Sequence, residues 1–227
     1  NDKESFIGSG IFYATSNGNE DPSVYTTSID ANQNLRLKGA RNKSGDVGLS
    51  GYPIRKIIPR GDGGSVIVAE SAFTSEYSYF DSFSQTYTRR LEYNFGDIIA
   101  FSVSSTGIPD WSASIQKDQV SMDDGGIFSS YCMLIKGNSL HFIFAEPIGK
   151  RSRVIPYSIS YQGIVAKGVS ASGSDEMQLL PSGARQISQN EILAPAVLRR
   201  SLYLVRFTFR SEEHTSELQS HSFISYA

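Results

Sequence analysis

The stretch VIPYSISYQGIVAKGV, residues 154–169, has a pattern that recurs along the chain and decides the predicted fold. An apolar run ends in Ser-Ile-Ser, a turn with glycine follows, and a second apolar run begins. Similar order is found in VYTTSIDANQNLRLKG at 24–39 and in IIAFSVSSTGIPDWSA at 98–113. Internal similarity of this kind indicates a repeated structural unit. The serines that end the first run align at spacings of 74 and 56 residues: Ser28, Ser102 and Ser158.

A second element precedes the last two copies of this pattern. DGGSVIVAE at 62–70 and GNSLHFIFAE at 137–146 are apolar runs that both end in Ala-Glu. Four strands per unit, the last two joined by a tight turn, is the organisation of a propeller blade. We therefore predict an all-β chain: a propeller-like array of antiparallel four-stranded blades. We expect it to be N-terminally truncated, with an apolar sheet face exposed near residues 1–50.

Residues 75–95, SEYSYFDSFSQTYTRRLEYNF, are rich in aromatic side chains and separate two predicted strands. A structureless loop of this length is unusual in a compact domain, so we predict a long hairpin. Its tyrosines, of which Tyr77, Tyr79 and Tyr87 are the candidates, would stack on sugar rings or form a contact surface for a protein. The simpler alternative is that alternating aromatic side chains hold the two strands together by cross-strand pairing.

Charge and hydropathy exclude several classes of protein. Outside residues 210–227 the chain carries 20 basic and 20 acidic residues without long runs of one sign, which predicts no nucleic-acid partner. No apolar run approaches the roughly 18 residues of a membrane span. The single cysteine, Cys132, lies among apolar neighbours and is predicted to be a buried, inert thiol.

The order of motifs resembles a known family. IIPRGDGGSVIVAES, YNFGDIIAFSVSSTGIPDWSASIQK and GGIFSSYCMLIKGNSLHFIFAE follow one another between residues 57 and 146. Together they resemble the C-terminal part of exported β-propeller-like proteins from Bacteroidota, a family without an assigned activity. The resemblance covers about residues 50–209. It implies an exported protein, periplasmic, secreted or at the cell surface, which ends on a strand such as SLYLVRFTF at 201–209.

The last residues, RSEEHTSELQSHSFISYA at 210–227, have no helical or strand periodicity. They resemble, codon for codon, the translation of a common sequencing-library adapter. We therefore divide the chain into a partial propeller-like domain at 1–209 and an artefactual or disordered tail at 210–227. We expect the tail to have no packing relation to the domain.

Candidate catalytic groups are few once the tail is set aside. His141 is then the only histidine, and neither G-x-S-x-G nor H-E-x-x-H occurs. Glu70 and Glu146 end equivalent strands, so a carboxylate pair suited to glycoside hydrolysis is conceivable, although glutamates at strand ends are commonly solvated rim residues. The glycine-rich acidic turns at 60–64 and 123–126 lack calcium-loop spacing and are predicted to be tight turns.

These observations favour an exported binding or scaffold module without catalytic activity. We expect no cofactor and no metal, and a protein or glycan as ligand. Candidate ligand-binding residues are the three tyrosines of the hairpin together with Asp97 and His141. The alternative is a carbohydrate-active or other hydrolytic enzyme that uses strand-end carboxylates. Convergence of Glu70, Glu146, Asp97 and His141 on one pocket would favour the enzyme.

Overall fold

The protein is described by a computed structural model at residues 10–15, 23–28, 51–83, 85–148, 151–170, 177–209 and 218–225. For residues 10–15, 23–28 and 218–225 the description is of the backbone. All the described ranges together form antiparallel strands and no α-helix. The all-β prediction is therefore confirmed.

Within the described ranges, sixteen strands follow one another. In order they are β1 Gly10–Thr15, β2 Ser23–Ser28, β3 Ile54–Pro59, β4 Ser65–Asp81, β5 Thr86–Val103, β6 Pro109–Ile115, β7 Gln119–Met122, β8 Cys132–Lys136, β9 Ser139–Ile148, β10 Arg151–Ser160, β11 Val165–Lys167, β12 Gln178–Leu179, β13 Arg185–Gln186, β14 Glu191–Leu198, β15 Ser201–Phe209 and β16 Leu218–Ser225. A 3-10 turn, Pro181–Gly183, lies between β12 and β13.

The chain divides into two compact units. The first comprises residues 1–72 and 97–116, and the second comprises residues 73–96 and 117–227. The two longest strands, β4 and β5, pass from the first unit into the second as the two arms of a hairpin. The long hairpin predicted at 75–95 is therefore confirmed.

Each unit contains one four-stranded meander in which every strand pairs with the next along the chain. The orders are β3-β4-β5-β6 and β8-β9-β10-β11. Their last two strands are joined by the same turn, in which Gly107 and Gly163 adopt positive φ angles of 77° and 78°. In each turn the hydroxyl of the first residue, a serine, accepts a hydrogen bond from the amide four residues later. The pairs are Ser104 with Ile108 and Ser160 with Ile164.

Residues 98–113 and 154–169, two copies of the predicted repeat, therefore contain the same turn, and the repeat itself stays a prediction. Of the remaining copy, 24–39, the structure describes only residues 24–28, which belong to β2 and pair with β1 in a separate two-stranded sheet. The side chains near residues 1–50, where an exposed apolar face was predicted, lie outside the described residues.

The core of the second unit lies between two sheets. The meander β8–β11 packs through β8 and β9 against a second sheet, in which β14 pairs with β15 on one side and with β12 and β13 on the other. Side chains from both sheets meet in one apolar cluster that includes Cys132, Leu134, Ile143, Phe207 and Phe209. Every one of these five is almost fully buried. The prediction of a buried Cys132 is confirmed.

The tail corrects one expectation. Leu218–Ser225 forms β16 and pairs antiparallel with β15, in a register that joins Phe209 to Leu218. Its backbone is therefore part of a sheet, and the expectation of no packing relation is wrong for these eight residues. The physical reason is that β15 presents an edge, and backbone hydrogen bonds to an edge are available to almost any sequence within reach. The adapter origin stays a prediction.

Candidate functional site

Glu70 and Asp97, two of the predicted site residues, are buried in the first unit. Glu70 has no exposed surface, and its Oε2 accepts a hydrogen bond from Arg55 Nε at 3.1 Å. Asp97 is 3% exposed. Burial, and after it the charge of Asp97, raises the pKa of Tyr52 to about 12. Carboxylates this deeply buried are placed to stabilise the sheet, and they do not present oxygens to a substrate.

Glu146, the residue equivalent to Glu70, lies in the second unit and has different partners. Tyr157 donates its hydroxyl hydrogen to Glu146 Oε1, and Lys167 Nζ lies 2.8 Å from Oε2. Burial and the bond to Glu146 raise the pKa of Tyr157, and the same carboxylate raises the pKa of Lys167. Both oxygens of Glu146 are thus engaged. Glu70 belongs to the first unit and Glu146 to the second, and the carboxylate of each is bound by a cation of its own unit.

His141 faces the core of the second unit. Its neighbours in β9, Leu140 and Phe142, point to the opposite side, as alternation requires. The imidazole lies 4.8 Å from the ring of Phe209, and its Nδ1 has no hydrogen-bond partner among the described residues. Burial, with a smaller contribution from the charge of Lys136, lowers the pKa of His141 to about 4. A neutral core histidine does not fit a ligand-binding role.

The two acidic glycine-rich turns use their carboxylates internally. Asp62 Oδ1 accepts from the Gly64 amide at 3.0 Å, and Asp124 Oδ1 accepts from the Gly126 amide at 2.8 Å. The arrangement is that of tight turns, as predicted. Among the residues that the structure describes, no group of three or more histidine, cysteine or acidic side chains is placed to hold a metal ion.

Sequence reasoning missed a polar cluster at the end of the first meander. Arg60, at the start of the turn between β3 and β4, contacts the Ser102 hydroxyl and the carboxylates of Asp62 and Asp110. Each of these polar groups has a hydrogen-bond partner within the cluster, so the cluster connects the turn to β5 and β6. The aligned serine of the repeat, Ser102, was the signal that pointed towards it.

The hairpin places its aromatic residues on two opposite faces. Tyr77 donates to Glu92 Oε1 at 3.1 Å, which fixes these two residues on one face. Tyr79 lies on the same face by alternation, and its hydroxyl together with Asp123 raises the pKa of Arg90. Phe80 points the other way and meets Tyr87 edge to face, with ring centroids 5.3 Å apart. Of the three predicted tyrosines, two therefore share a face and Tyr87 does not.

Strand β7 extends the face that carries Tyr77 and Tyr79. It pairs with the base of β5 so that Met122 lies opposite Glu92 and Val120 lies opposite Asn94. Directly opposed residues of an antiparallel pair project to the same side. Five large apolar side chains thus share this side, each 46–55% exposed, and we call them the open face: Phe73, Tyr77, Tyr79, Val120 and Met122.

The opposite side of the hairpin base is covered. Gly126 approaches Phe95 so closely that a Cβ atom there would lie 2.7 Å from the ring, and its φ of +68° also favours glycine. Lys117 Nζ donates to the Phe95 carbonyl at 3.0 Å and lies over the Phe95 ring. At the base of the hairpin one side is therefore packed and the other is exposed, whereas further out Phe80, Tyr87 and Leu91 are exposed on the second side.

Polar groups border the open face. Arg90 pairs with Asp123 at 3.0 Å, and Asn94 Nδ2 donates to Glu92 Oε1 at 3.0 Å. The hydrogen bond from the Tyr77 hydroxyl to the Glu92 carboxylate raises the pKa of Tyr77. Val120 and Met122 were missed by sequence reasoning. The weak alternation in QVSM at 119–122 was the available signal, but it does not reveal which strand β7 joins.

Comparisons of the chain with family models, with curated protein sequences and with solved structures found no match. A search of the described residues for a helix with the length and apolarity to cross a membrane found none. The geometry of the chain itself is therefore the basis for a functional assignment.

Proposed function

We propose that this chain is a binding module without catalytic activity, and that its ligand, a protein or a glycan, is held on the open face. The observation that carries the proposal is the co-location of Phe73, Tyr77, Tyr79, Val120 and Met122 on one accessible side of a sheet whose other side is packed at the base of the hairpin. Exposed apolar patches of this kind commonly mark binding sites.

The state of the titratable candidates supports a binding role over an enzymatic one. Glu70 is buried, Glu146 has both oxygens engaged, and His141 is neutral within a core. Catalytic acids and bases have to reach a substrate and to exchange protons with it. The open face instead offers groups that bind without reacting.

We further propose that the two meanders are blades of a propeller-like array in an exported protein. The support for blades is their common strand order and their identical turns at Gly107 and Gly163. The support for export is the resemblance of the sequence described above. In such an array a strand extension that leaves one blade is a natural place for a recognition element.

Binding by immobilised wild-type protein tests the proposal. The probes are a panel of polysaccharides and a library of displayed random peptides. At least one class of probe is expected to bind, and the double variant Tyr77→Ser/Tyr79→Ser is expected to lose that binding by about tenfold or more. The matched control, Phe80→Ser/Tyr87→Ser, removes two aromatic rings from the other face and is expected to retain it.

The same proteins distinguish the enzymatic alternative. Hydrolysis of chromogenic glycosides or esters by wild type, abolished in Glu146→Gln or Glu70→Gln, would replace the binding proposal with the alternative. Retained binding with no hydrolysis supports the module.

A further inference from the structure

We infer that the partner of the open face is an extended segment of another protein, with an apolar strip and a lysine or arginine beside it. This inference rests on the proposed function and names its ligand class. Three properties of the face carry it: its side-chain chemistry, its size and its unbalanced charge.

The chemistry of the face fits a protein better than a sugar. Stacking on a sugar ring uses flat aromatic groups, whereas Val120 and Met122 provide none. Methionine and aromatic side chains are enriched in protein–protein interfaces, along with arginine, and lysine is depleted. The face carries three aromatic residues, Met122 and Arg90, and no lysine lies among the residues that form or border it. Methionine also adapts its shape to varied apolar partners.

The size of the face excludes an obligate dimer of this chain. An aromatic side chain buries about 150–250 Å² when fully covered. Five large side chains that are each about half exposed therefore offer roughly 500 Å². Obligate dimer interfaces bury about 2,000 Å² or more in total, about 1,000 Å² on each partner. The open face is therefore too small for that role and matches the contact made by one strand or short segment.

The charge at the border selects a basic neighbour. Arg90 is already matched by Asp123 at 3.0 Å. Among the described residues, the contacts of Glu92 are with the neutral donors Tyr77 and Asn94. The Glu92 carboxylate therefore leaves the border of the open face with a net negative charge. A lysine or arginine of the partner would complete this site with a charge-assisted hydrogen bond.

Panning a displayed library of random short peptides on the full chain tests the inference. Recovered sequences are expected to combine aliphatic or aromatic residues with a lysine or arginine. Synthetic copies of these peptides are expected to bind with Kd values of the order of micromolar. Tyr77→Ser/Tyr79→Ser and Met122→Ser should each weaken binding about tenfold, and Phe80→Ser/Tyr87→Ser should change it by less than about twofold.

The variant Glu92→Gln tests the contribution of the Glu92 charge to peptide binding. It keeps an oxygen that accepts from Tyr77 but removes the negative charge, so peptide binding should weaken several-fold and lose most of its dependence on salt. Circular dichroism and thermal unfolding of each variant show whether it is folded. A second acceptor-retaining variant, Glu92→Asn, serves if the first does not fold.

The other outcomes separate this inference from the proposed function. Binding of polysaccharides alone, lost in Tyr77→Ser/Tyr79→Ser, overturns the protein partner and leaves the binding module in place. Wild-type dimers in sedimentation that dissociate in the same variant overturn it in favour of self-association. If neither peptides nor polysaccharides bind, both the inference and the proposed function are overturned.

Discussion

The meanders β3–β6 and β8–β11 place equivalent glutamates in opposite environments. Glu70 is completely buried and pairs with Arg55, whereas the Glu146 side chain is 19% exposed and pairs with Tyr157 and Lys167. The strands differ in one respect that explains this. β9 ends at Ile148, two residues after its glutamate, while β4 continues to Asp81. In β9 the glutamate lies at a strand end, and in β4 it lies within the strand.

The extension of β4 into the hairpin therefore goes together with a buried environment for the glutamate of that sheet. A carboxylate at a strand end reaches water and needs only a surface partner. When the strand is extended, the same position becomes interior, and an unpaired carboxylate there would be costly. Arg55 on the neighbouring strand β3 supplies the compensating charge at 3.1 Å. The following substitutions test this difference between the two meanders, in order of decreasing expected loss of stability.

Phe144→Ala should have the largest effect. Phe144 is fully buried and stacks on Tyr157 with centroids 5.1 Å apart, so its loss should lower the free energy of unfolding by about 3–5 kcal/mol. The equivalent position in the first meander is Val68, and Val68→Ala should cost about 1–3 kcal/mol. Urea denaturation followed by circular dichroism measures both. Equal costs would contradict the expectation that the larger buried ring of Phe144 makes the difference between the two positions.

His141 should make the second unit sensitive to acid. Its pKa is about 4 in the folded protein and about 6.5 when unfolded, so between these values the unfolded state binds more protons. Its stabilisation is complete above the unfolded value and is lost as pH falls from about 6.5 towards 4, by roughly 2–4 kcal/mol. The equivalent residue of the first meander, Ser65, does not titrate.

The measurement is urea denaturation at several pH values for wild type and His141→Gln. The variant is expected to lose part of the decline in unfolding free energy below pH 6.5 that the wild type shows. Parallel pH profiles for the two proteins would mean that the imidazole remains accessible to protons in the folded state.

Arg55→Met and Lys167→Met compare the two glutamates directly, because both changes remove a cation and keep a long aliphatic chain. Arg55→Met leaves Glu70 buried without its guanidinium and should cost roughly 1–3 kcal/mol. This is less than for a fully buried pair because Arg55 is 37% exposed. Lys167 is 52% exposed, so its loss should cost less than about 1 kcal/mol. A larger cost for Lys167→Met would reverse the proposed contrast. Denaturant unfolding is the assay.

Removal of residues 210–227 tests whether the sheet formed by β12–β16 needs β16 for its stability. We expect less than about 1 kcal/mol of change, because backbone pairing of β16 is offset by the entropy of ordering it. Removal from Leu202 onwards also deletes β15, whose Phe207 and Phe209 are core residues, and should unfold or aggregate the second unit. A large fall in melting temperature for the shorter deletion would make β16 an integral strand.

Sequence patterns predicted strands where the alternation of apolar and polar side chains was clear. They failed where a strand depends on a pairing partner far away in the sequence. Strand β14 contains Pro195 in its centre, which argues against a central strand. In the structure the Pro195 carbonyl accepts from the Leu180 amide, beyond the end of β12. The nitrogen of Pro195 points to the same side, so its missing hydrogen falls in the gap between β12 and β13. Sequence alone does not show where a partner strand ends.

The candidate site, too, was predictable from the sequence only in part. The hairpin and the shared face of Tyr77 and Tyr79 follow from composition and the two-residue period of a strand. The places of Val120 and Met122 do not, because they depend on the register between β7 and β5, which are separated by β6. The different partners of Glu70 and Glu146 also required the structure, since each of these residues ends the same Ala-Glu motif.

The burial of Cys132 provides the second unit with an internal reporter of its own opening. The chain has one cysteine, and burial raises its thiol pKa to about 12, so at neutral pH the closed protein holds almost no reactive thiolate. A thiol reagent therefore reacts when the two sheets separate enough to admit it. The rate of modification then measures the free energy of that local opening, with no label introduced. Addition of a partner that stabilises the closed unit would slow the reaction in proportion to its occupancy.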